Sequence, residues 1–234
     1  MLDQGSGSTW WAPGAIGWWI GILFAFGSLC FVLGAAPGYV DAVGGAGDGI
    51  TFFIGSLFFT SAACLQYFEV GNAPGSLSGD TGADRRWLIW EPRRIDWWAT
   101  LVQLAGTLFF NRSTLAAMSH QLSATQTNRL VWRPDVVGSL CFLVASWLAW
   151  AEVSHCRWSW RPRVLSWWIA GLNLAGSIAF GVSAAASHIV PASDQPRNVA
   201  LMNLGTFLGG MAFLVGAVLL LPERTHTTAV PAMA

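Results

Sequence analysis

The sequence contains little charge and no lysine. Of its 234 residues, 10% are charged and all twelve basic residues are arginine, whereas soluble domains carry about 25% charged residues. Acidic and basic residues balance to a net charge of zero, so the composition gives no reason to expect a nucleic-acid partner. The shortage of charge excludes an ordinary soluble domain.

Sequence motifs of catalysis and metal binding are also absent. There is no P-loop, no GxGxxG after a strand, no HExxH and no GxSxG. The four cysteines show no CxxC or Cys/His zinc spacing, so we expect reduced thiols and no metal site. His155 and Cys156 are neighbours, but a nucleophile there would lack a third, orienting partner. The sequence therefore predicts a protein that is not an enzyme.

Long apolar runs dominate the chain, which is 54% hydrophobic. A bilayer is crossed by a helix of about 20 apolar residues. The whole chain, 1–234, is therefore predicted to be a single integral membrane domain, because little sequence remains outside the runs. The six predicted spans are 15–36, 50–69, 97–119, 136–153, 164–188 and 199–222.

One pattern, Trp-x-Pro-x4-Trp-Trp-x7-Gly-[Ser/Thr]-x2-Phe, occurs three times and begins at Trp11, Trp90 and Trp160. Internal repeats of this kind indicate the architecture of the whole chain and are therefore interpreted first. We expect the proline in the first helical turn and the glycine about 13 Å deeper than the tryptophan pair, where it lets helices approach closely. The paired tryptophans are predicted to anchor the helices at the membrane interface; they are Trp18, Trp19, Trp97, Trp98, Trp167 and Trp168.

A second pattern, Gly-x3-Phe-x5-Leu-x3-Glu, recurs in the even-numbered spans and places its glycine, phenylalanine and glutamate on one helix stripe. The unit is thus a helical hairpin, repeated at approximately 11–69, 90–153 and 160–223. Parallel repeats are related by an axis along the membrane normal. We expect an all-α polytopic bundle of six transmembrane helices in a pseudo-threefold arrangement.

The arginines are unevenly divided between the two predicted membrane sides. An excess of basic residues marks the cytoplasmic side, which predicts a multi-pass protein of the bacterial cytoplasmic (inner) membrane with both termini in the cytoplasm. The loop 70–96 is predicted to lie in the interface. The termini's side carries Arg85, Arg86, Arg93, Arg94, Arg157, Arg161, Arg163 and Arg224, and the other side carries Arg129, Arg133 and Arg197.

Three glutamates recur at equal depth, and two readings of them stay open. An acidic ring at the mouth of an axial path would attract cations. Alternatively, each glutamate ends its helix and pairs with an arginine such as Arg93, Arg161 or Arg224. The residues are Glu69, Glu152 and Glu223.

Three of the polar residues inside the predicted spans are candidate site residues. Arg112 is predicted either to snorkel to the outer headgroups or to serve an anion, substrate or pairing site. Gln103 and Asn173 occupy matching positions three residues before the repeated glycine, where Phe24 stands in the first repeat. They are expected to form interhelical hydrogen bonds or to line a cavity. His120 and His188 could ligate a haem as a pair, although the strong pattern of a haem site is missing, so no cofactor is expected.

The stretches FFIGSLFFTSA, LAGTLFF and GSLCFLVAS resemble the small YrhK-type membrane domain of bacteria, and the whole chain is similar to six-span membrane proteins of actinobacteria. The resemblance implies a helical membrane protein. It carries over no functional residue, because the family comes with no established activity.

Two functions from different classes remain open. The intramembrane polar residues and the repeated glutamates favour a channel or transporter for a small solute or ion. The apolar spans without interior proline favour a structural or accessory subunit that binds a protein partner, or self-association among lipids. A haem-binding redox protein is the third alternative.

Overall fold

The computed structural model describes residues 10–73, 88–119, 122–154 and 163–227, and these are mainly helical, which confirms the all-α prediction. A short ladder pairs β1 (Ile189–Val190) with β2 (Gln195–Pro196) between the last two helices. The helix α4 (Ala124–Thr127) and a π-helical turn (Asn128–Trp132) run directly into α5. The long helices are α1 (Ile16–Gly34), α2 (Tyr39–Gly71), α3 (Ile95–Ala117), α5 (Arg133–Val153), α6 (Leu165–Ala186) and α7 (Val199–Thr227).

Five helical stretches within the described ranges are long and apolar enough to cross a membrane. They are α1, α2, the continuous stretch Ala124–Val153, α6 and α7 up to Glu223. α3 has 23 residues, but Asp96, Asn111 and Arg112 lower its hydropathy. The membrane-embedded character is confirmed, while the sixth span stays a prediction.

Several helix boundaries differ from the predicted ones. α2 begins at Tyr39, and it passes a kink at Gly44, whose φ of 74° suits a residue without a Cβ. Pro222, the last residue of the predicted span 199–222, lies inside α7, and a π-helical turn precedes α5 outside the predicted span 136–153. Pro13 and Pro92 precede their helices by three residues instead of occupying the first turn.

The long helices pack in chain order around a closed ring. α1 contacts α2, α2 contacts α3, α3 contacts α5, α5 contacts α6, α6 contacts α7, and α7 returns to α1. The amino-terminal ends of α1, α3 and α6 therefore lie beside the carboxyl-terminal ends of α2, α5 and α7. We call this end, which carries Glu69, Glu152 and Glu223, the glutamate end.

Paired glycines bring the two helices of each hairpin into backbone contact. A side chain at any of these positions would collide with the facing helix, so the predicted role of the repeated glycines in close packing is confirmed. The crossings are Gly27 with Gly55 (3.0 Å), Gly106 with Gly138 (3.2 Å) and Gly176 with Gly209 (3.1 Å), where each distance joins a Cβ built on the first glycine to the carbonyl oxygen of the second.

Six phenylalanines fill the centre of the ring in two stacked triangles, which we call the phenylalanine prism. One triangle comes from α1, α3 and α6 and consists of Phe31, Phe110 and Phe180, with ring centroids 5.6 to 6.4 Å apart. The other comes from α2, α5 and α7 and consists of Phe59, Phe142 and Phe213, with centroids 5.8 to 6.0 Å apart. The edges that join the triangles measure 5.2 to 5.6 Å.

Candidate functional site

A cavity of about 210 Å³ lies between the phenylalanine prism and the glutamate end. Phe24 and Phe213 line its inner part, and Val153 and Ser166, which stand at the ends of α5 and α6, line its outer part. We call it the carboxamide cavity, because three side-chain amides line it. Its polar lining comes from Gln66, Thr100, Gln103, Ser146, Ser166, Asn173 and Glu223.

Two hydroxyl groups of this lining are already paired within the protein. The Thr100 hydroxyl donates to the carbonyl oxygen of Trp97 at 3.0 Å, within α3. The Ser146 hydroxyl lies 2.7 Å from that of Ser177, which also donates to the carbonyl of Phe142, so these groups connect α5 to α6. The three amides and Ser166 are the neutral polar groups of the lining that can meet a ligand.

The three carboxamides come from different helices, Gln66 from α2, Gln103 from α3 and Asn173 from α6. The Oε1 atom of Gln66 is buried and accepts no hydrogen bond from the described residues. Each carboxamide offers two N–H donors and one carbonyl acceptor. Because an unsatisfied buried amide costs several kcal/mol in an apolar environment, a cavity with this lining is suited to a polar occupant.

Gly216 makes room for the Asn173 amide. A Cβ built on Gly216 would stand 3.0 Å from the Asn173 Oδ1 atom. The matching positions of the other two repeats are Ala62 and Ala145. The third hairpin therefore combines a polar side chain on α6 with a smaller residue on α7.

The prism closes the cavity towards the opposite end of the bundle. Its six rings are at least 91% buried, the most exposed being Phe110 and Phe180 at 8%. The void among them measures only about 10 Å³, at the lower limit of what one water needs, and an apolar void stays dry. A continuous polar path from the glutamates to Arg112 is therefore not present in this structure.

The three glutamates are placed differently from one another. Glu223 lines the carboxamide cavity, whereas Glu69 and Glu152 do not. Glu152 is exposed and within electrostatic reach of Arg94 and Asp96. Arg94 belongs to the cluster at the start of α3, where its Nε donates to the Asp96 carboxylate at 3.0 Å. This bond and the nearby carboxylates raise the pKa of the Arg94 guanidinium.

The pairing predicted for the glutamates can be followed only in the second repeat. There the nearby arginine is Arg94 rather than Arg93. Arg161 and the side chain of Arg224 lie outside the described part of the structure. Glu69 and Glu223 both have interaction partners.

Arg112 lies on the outside of the bundle. Its side chain is exposed, and the neighbouring Asn111 instead points towards α2, where its Nδ2 donates to the Thr60 hydroxyl at 2.8 Å. Of the intramembrane polar residues singled out in the sequence, Gln103 and Asn173 thus meet in one cavity, and Arg112 is not part of it.

The first tryptophan of each pair is buried and the second is exposed. Trp18, Trp97 and Trp167 are 6%, 1% and 7% exposed, against 40 to 46% for their successors. The Trp97 indole donates to the carbonyl of Ile89 at 3.1 Å, and that of Trp98 to the carbonyl of Pro92 at 3.0 Å. The first repeat makes the same two bonds, from Trp18 to the Trp10 carbonyl and from Trp19 to the Pro13 carbonyl.

These bonds give the Trp-x-Pro motif a structural role beyond anchoring. Each of these four indole N–H groups donates to a carbonyl of the chain segment that leads into its helix. The motif therefore fixes the angle between that segment and the helix. Interface anchoring remains the prediction for the exposed Trp19, Trp98 and Trp168.

Within the predicted interfacial loop 70–96, residues 74–87 lie outside the described ranges, and Trp90 is 69% exposed while Glu91 is buried.

Gln66 was missed by the sequence reasoning. It stands eleven residues after the repeated glycine of α2, where the other hairpins carry Ala149 and Leu220. A comparison of the three even helices for a polar residue at an otherwise apolar position would have found it. Ser146 and Thr100 give no such signal, since small hydroxyl residues occur throughout the helices.

The proposed haem ligands are only partly described. His188 packs edge-on against Trp132, with ring centroids 4.7 Å apart. His120 lies outside the described residues, as do His155 and Cys156. No group of three or more His, Cys, Asp or Glu side chains that could hold a metal occurs in the part of the chain that the structure describes.

Comparison of the chain with family models, curated protein sequences and solved structures finds no match. The function is therefore inferred from the geometry of the bundle.

Proposed function

We propose that the chain is an integral protein of the bacterial cytoplasmic membrane that admits a small polar solute at the glutamate end and holds it beneath the phenylalanine prism. The observation that carries this proposal is the carboxamide cavity itself. Three amides from α2, α3 and α6 line one space of about 210 Å³ inside a ring of apolar helices. Polar groups inside a membrane bundle are costly and mark substrate sites.

The finer architecture belongs to the same proposal. We take α3 as the sixth span and the hairpins as related by a pseudo-threefold axis through the prism. Support comes from the closed ring of helices, the three similar glycine crossings and the two phenylalanine triangles. The excess of arginine in the sequence places the glutamate end and both termini in the cytoplasm.

The prism makes this a solute carrier in a closed state rather than an open pore. A solute that enters from the glutamate end meets Phe24 and Phe213 and goes no further while the rings stay together. Transfer across the membrane requires the two triangles to part. Gly44 and the π-helical turn, which interrupt regular helix at the opposite end, are suited to such a movement.

Solute exchange in reconstituted vesicles tests the proposal. Purified protein is placed in liposomes, and counterflow of labelled acetamide, glycerol, methylammonium and acetate is measured. We expect saturable exchange of at least one solute, strongly reduced when Gln103→Phe and Asn173→Phe give the cavity the residue that the first repeat carries. The matched control is Arg112→Leu, an equally drastic loss of polarity on the outside of α3. Exchange no faster than in protein-free liposomes would contradict a transport role.

A structural or accessory role is the second candidate, and the prism favours it. Six interlocked rings and three backbone crossings rigidify the bundle, as expected of a scaffold that binds a membrane partner. Such a protein would show no solute exchange, and its Gln103→Phe, Asn173→Phe variant would be as stable as the original chain or more so, because two amides are removed from an apolar setting.

A further inference from the structure

We propose that the carboxamide cavity selects small, uncharged solutes that carry both hydrogen-bond donors and acceptors, such as simple amides. This inference deepens the proposed function and depends on it for the existence of the site. It concerns which chemical class occupies the cavity, and it can be tested by binding alone, without any transport.

The size of the cavity limits the occupant to a few heavy atoms. Ligand pockets for drug-sized molecules measure about 300–1,000 Å³, whereas this cavity measures about 210 Å³. Since a water takes about 30 Å³ of liquid volume, the space corresponds to about seven waters. A nucleotide is therefore excluded by volume.

The amides of the lining supply both hydrogen-bond donors and hydrogen-bond acceptors. Gln66, Gln103 and Asn173 together offer three carbonyl acceptors and three NH₂ groups. The amide carbonyl oxygens that face the cavity accept donors from the occupant. The NH₂ groups of the three amides require acceptors. A solute with an N–H or O–H group beside a carbonyl or hydroxyl oxygen satisfies both requirements at once.

The charge of the lining argues against ionic occupants. No arginine, lysine or histidine is found among the described residues that line the cavity, so an anion would meet no positive partner. Glu223 is the carboxylate of the lining, but it already has an interaction partner. Taking an ion out of water into a largely apolar space costs several kcal/mol unless a counter-charge compensates. Neutral amides accept a neutral solute without that cost.

The apolar part of the lining adds a place for a methyl group. Phe24, Phe213, Ile169 and Leu220 belong to the apolar lining of the cavity. A solute with a small apolar end against these side chains and an amide end towards Gln103 and Asn173 uses both parts. Acetamide has this form and is the probe of choice.

Binding is measured by saturation-transfer NMR on the purified full-length protein in lipid nanodiscs. Acetamide, acetate and methylammonium are compared, because they share one methyl group and differ in charge. We expect saturation transfer to acetamide alone. Gln103→Leu and Asn173→Leu should each weaken acetamide binding about tenfold, the effect of one buried hydrogen bond, while Arg112→Leu leaves it unchanged.

A second, smaller substitution separates loss of binding from loss of folding. Gly216→Ala adds one methyl group 3.0 Å from the Asn173 oxygen, and the other two hairpins tolerate alanine at this position. It should displace the Asn173 amide and weaken acetamide binding while unfolding at the same denaturant concentration. Preferential binding of acetate or methylammonium, or acetamide binding that is insensitive to Gln103→Leu, Asn173→Leu and Gly216→Ala, would overturn the inference. Acetamide binding without vesicle exchange would uphold the inference and count against transport.

Discussion

Removal of a single ring from the phenylalanine prism should destabilise the bundle strongly. Phe59 is 4% exposed, and its ring contacts those of Phe24, Phe31, Phe142 and Phe213 at centroid distances of 5.5 to 6.0 Å. Phe59→Ala leaves a void of roughly 100 Å³, which at about 24 cal/mol per Å³ costs about 2.4 kcal/mol. Aromatic pairs contribute about 0.5–1.5 kcal/mol each, but they overlap with the void term.

We therefore expect Phe59→Ala to lower the free energy of unfolding by about 2–4 kcal/mol, towards the low end of core substitutions in soluble proteins. The expected loss of stability is small because moving a side chain from lipid into the bundle provides no hydrophobic gain. Phe26→Ala is the matched control, since Phe26 lies on the neighbouring α1 and is 53% exposed. It should change stability by less than about 0.5 kcal/mol.

The assay is reversible unfolding by sodium dodecyl sulfate in mixed micelles, followed by tryptophan fluorescence. Phe59→Leu, which keeps most of the volume and removes the ring, should fall between the two alanine variants. Equal effects of Phe59→Ala and Phe26→Ala would refute the reasoning, because the prism would then contribute no more than a lipid-facing ring.

Two smaller predictions follow from individual hydrogen bonds. Trp97→Phe should destabilise by at least about 1 kcal/mol because it removes a buried indole and its bond to the loop, whereas Trp98→Phe should cost less, since Trp98 is exposed; thermal unfolding in detergent compares them. A double-mutant cycle of Ser56→Ala and Thr114→Val, whose hydroxyls lie 3.0 Å apart, should give a coupling of about 0.6 kcal/mol, the average for membrane pairs, and a coupling of zero would contradict a pairing of these groups in the membrane.

The helical architecture was accessible from the sequence because its determinants are periodic. Gly27 and Phe31 are four residues apart, as are Gly55 and Phe59, so helix geometry places each pair on one face of its helix. These two faces meet in the bundle. Hydrophobic length alone placed the helix ends to within a few residues, except at the start of α2, which begins at Tyr39, and at the end of α7, which reaches Thr227. Both extensions lie outside the apolar runs.

The site was only partly accessible, because it is made by departures from the repeat. Gln103 and Asn173 stood out as polar residues where the first repeat has Phe24. Gln66 was found only in the structure, although the other even helices carry Ala149 and Leu220 at its position. The equal depth of the glutamates allowed either a ring or separate pairs with arginine, because depth leaves the direction of each side chain open, and Glu223 lines the cavity without the other two.

The accessibility of introduced cysteines in the cavity and among the rings of the prism is the most direct test of a polar cavity closed by phenylalanine rings. In protein whose native cysteines are replaced by alanine, Ala149→Cys lines the cavity and Ser56→Cys lies against the small void among the rings. A small water-soluble methanethiosulfonate added at the glutamate end should modify Cys at 149 readily and leave Cys at 56 unmodified. Equal modification of both, or of neither, would contradict a one-ended cavity closed by the prism.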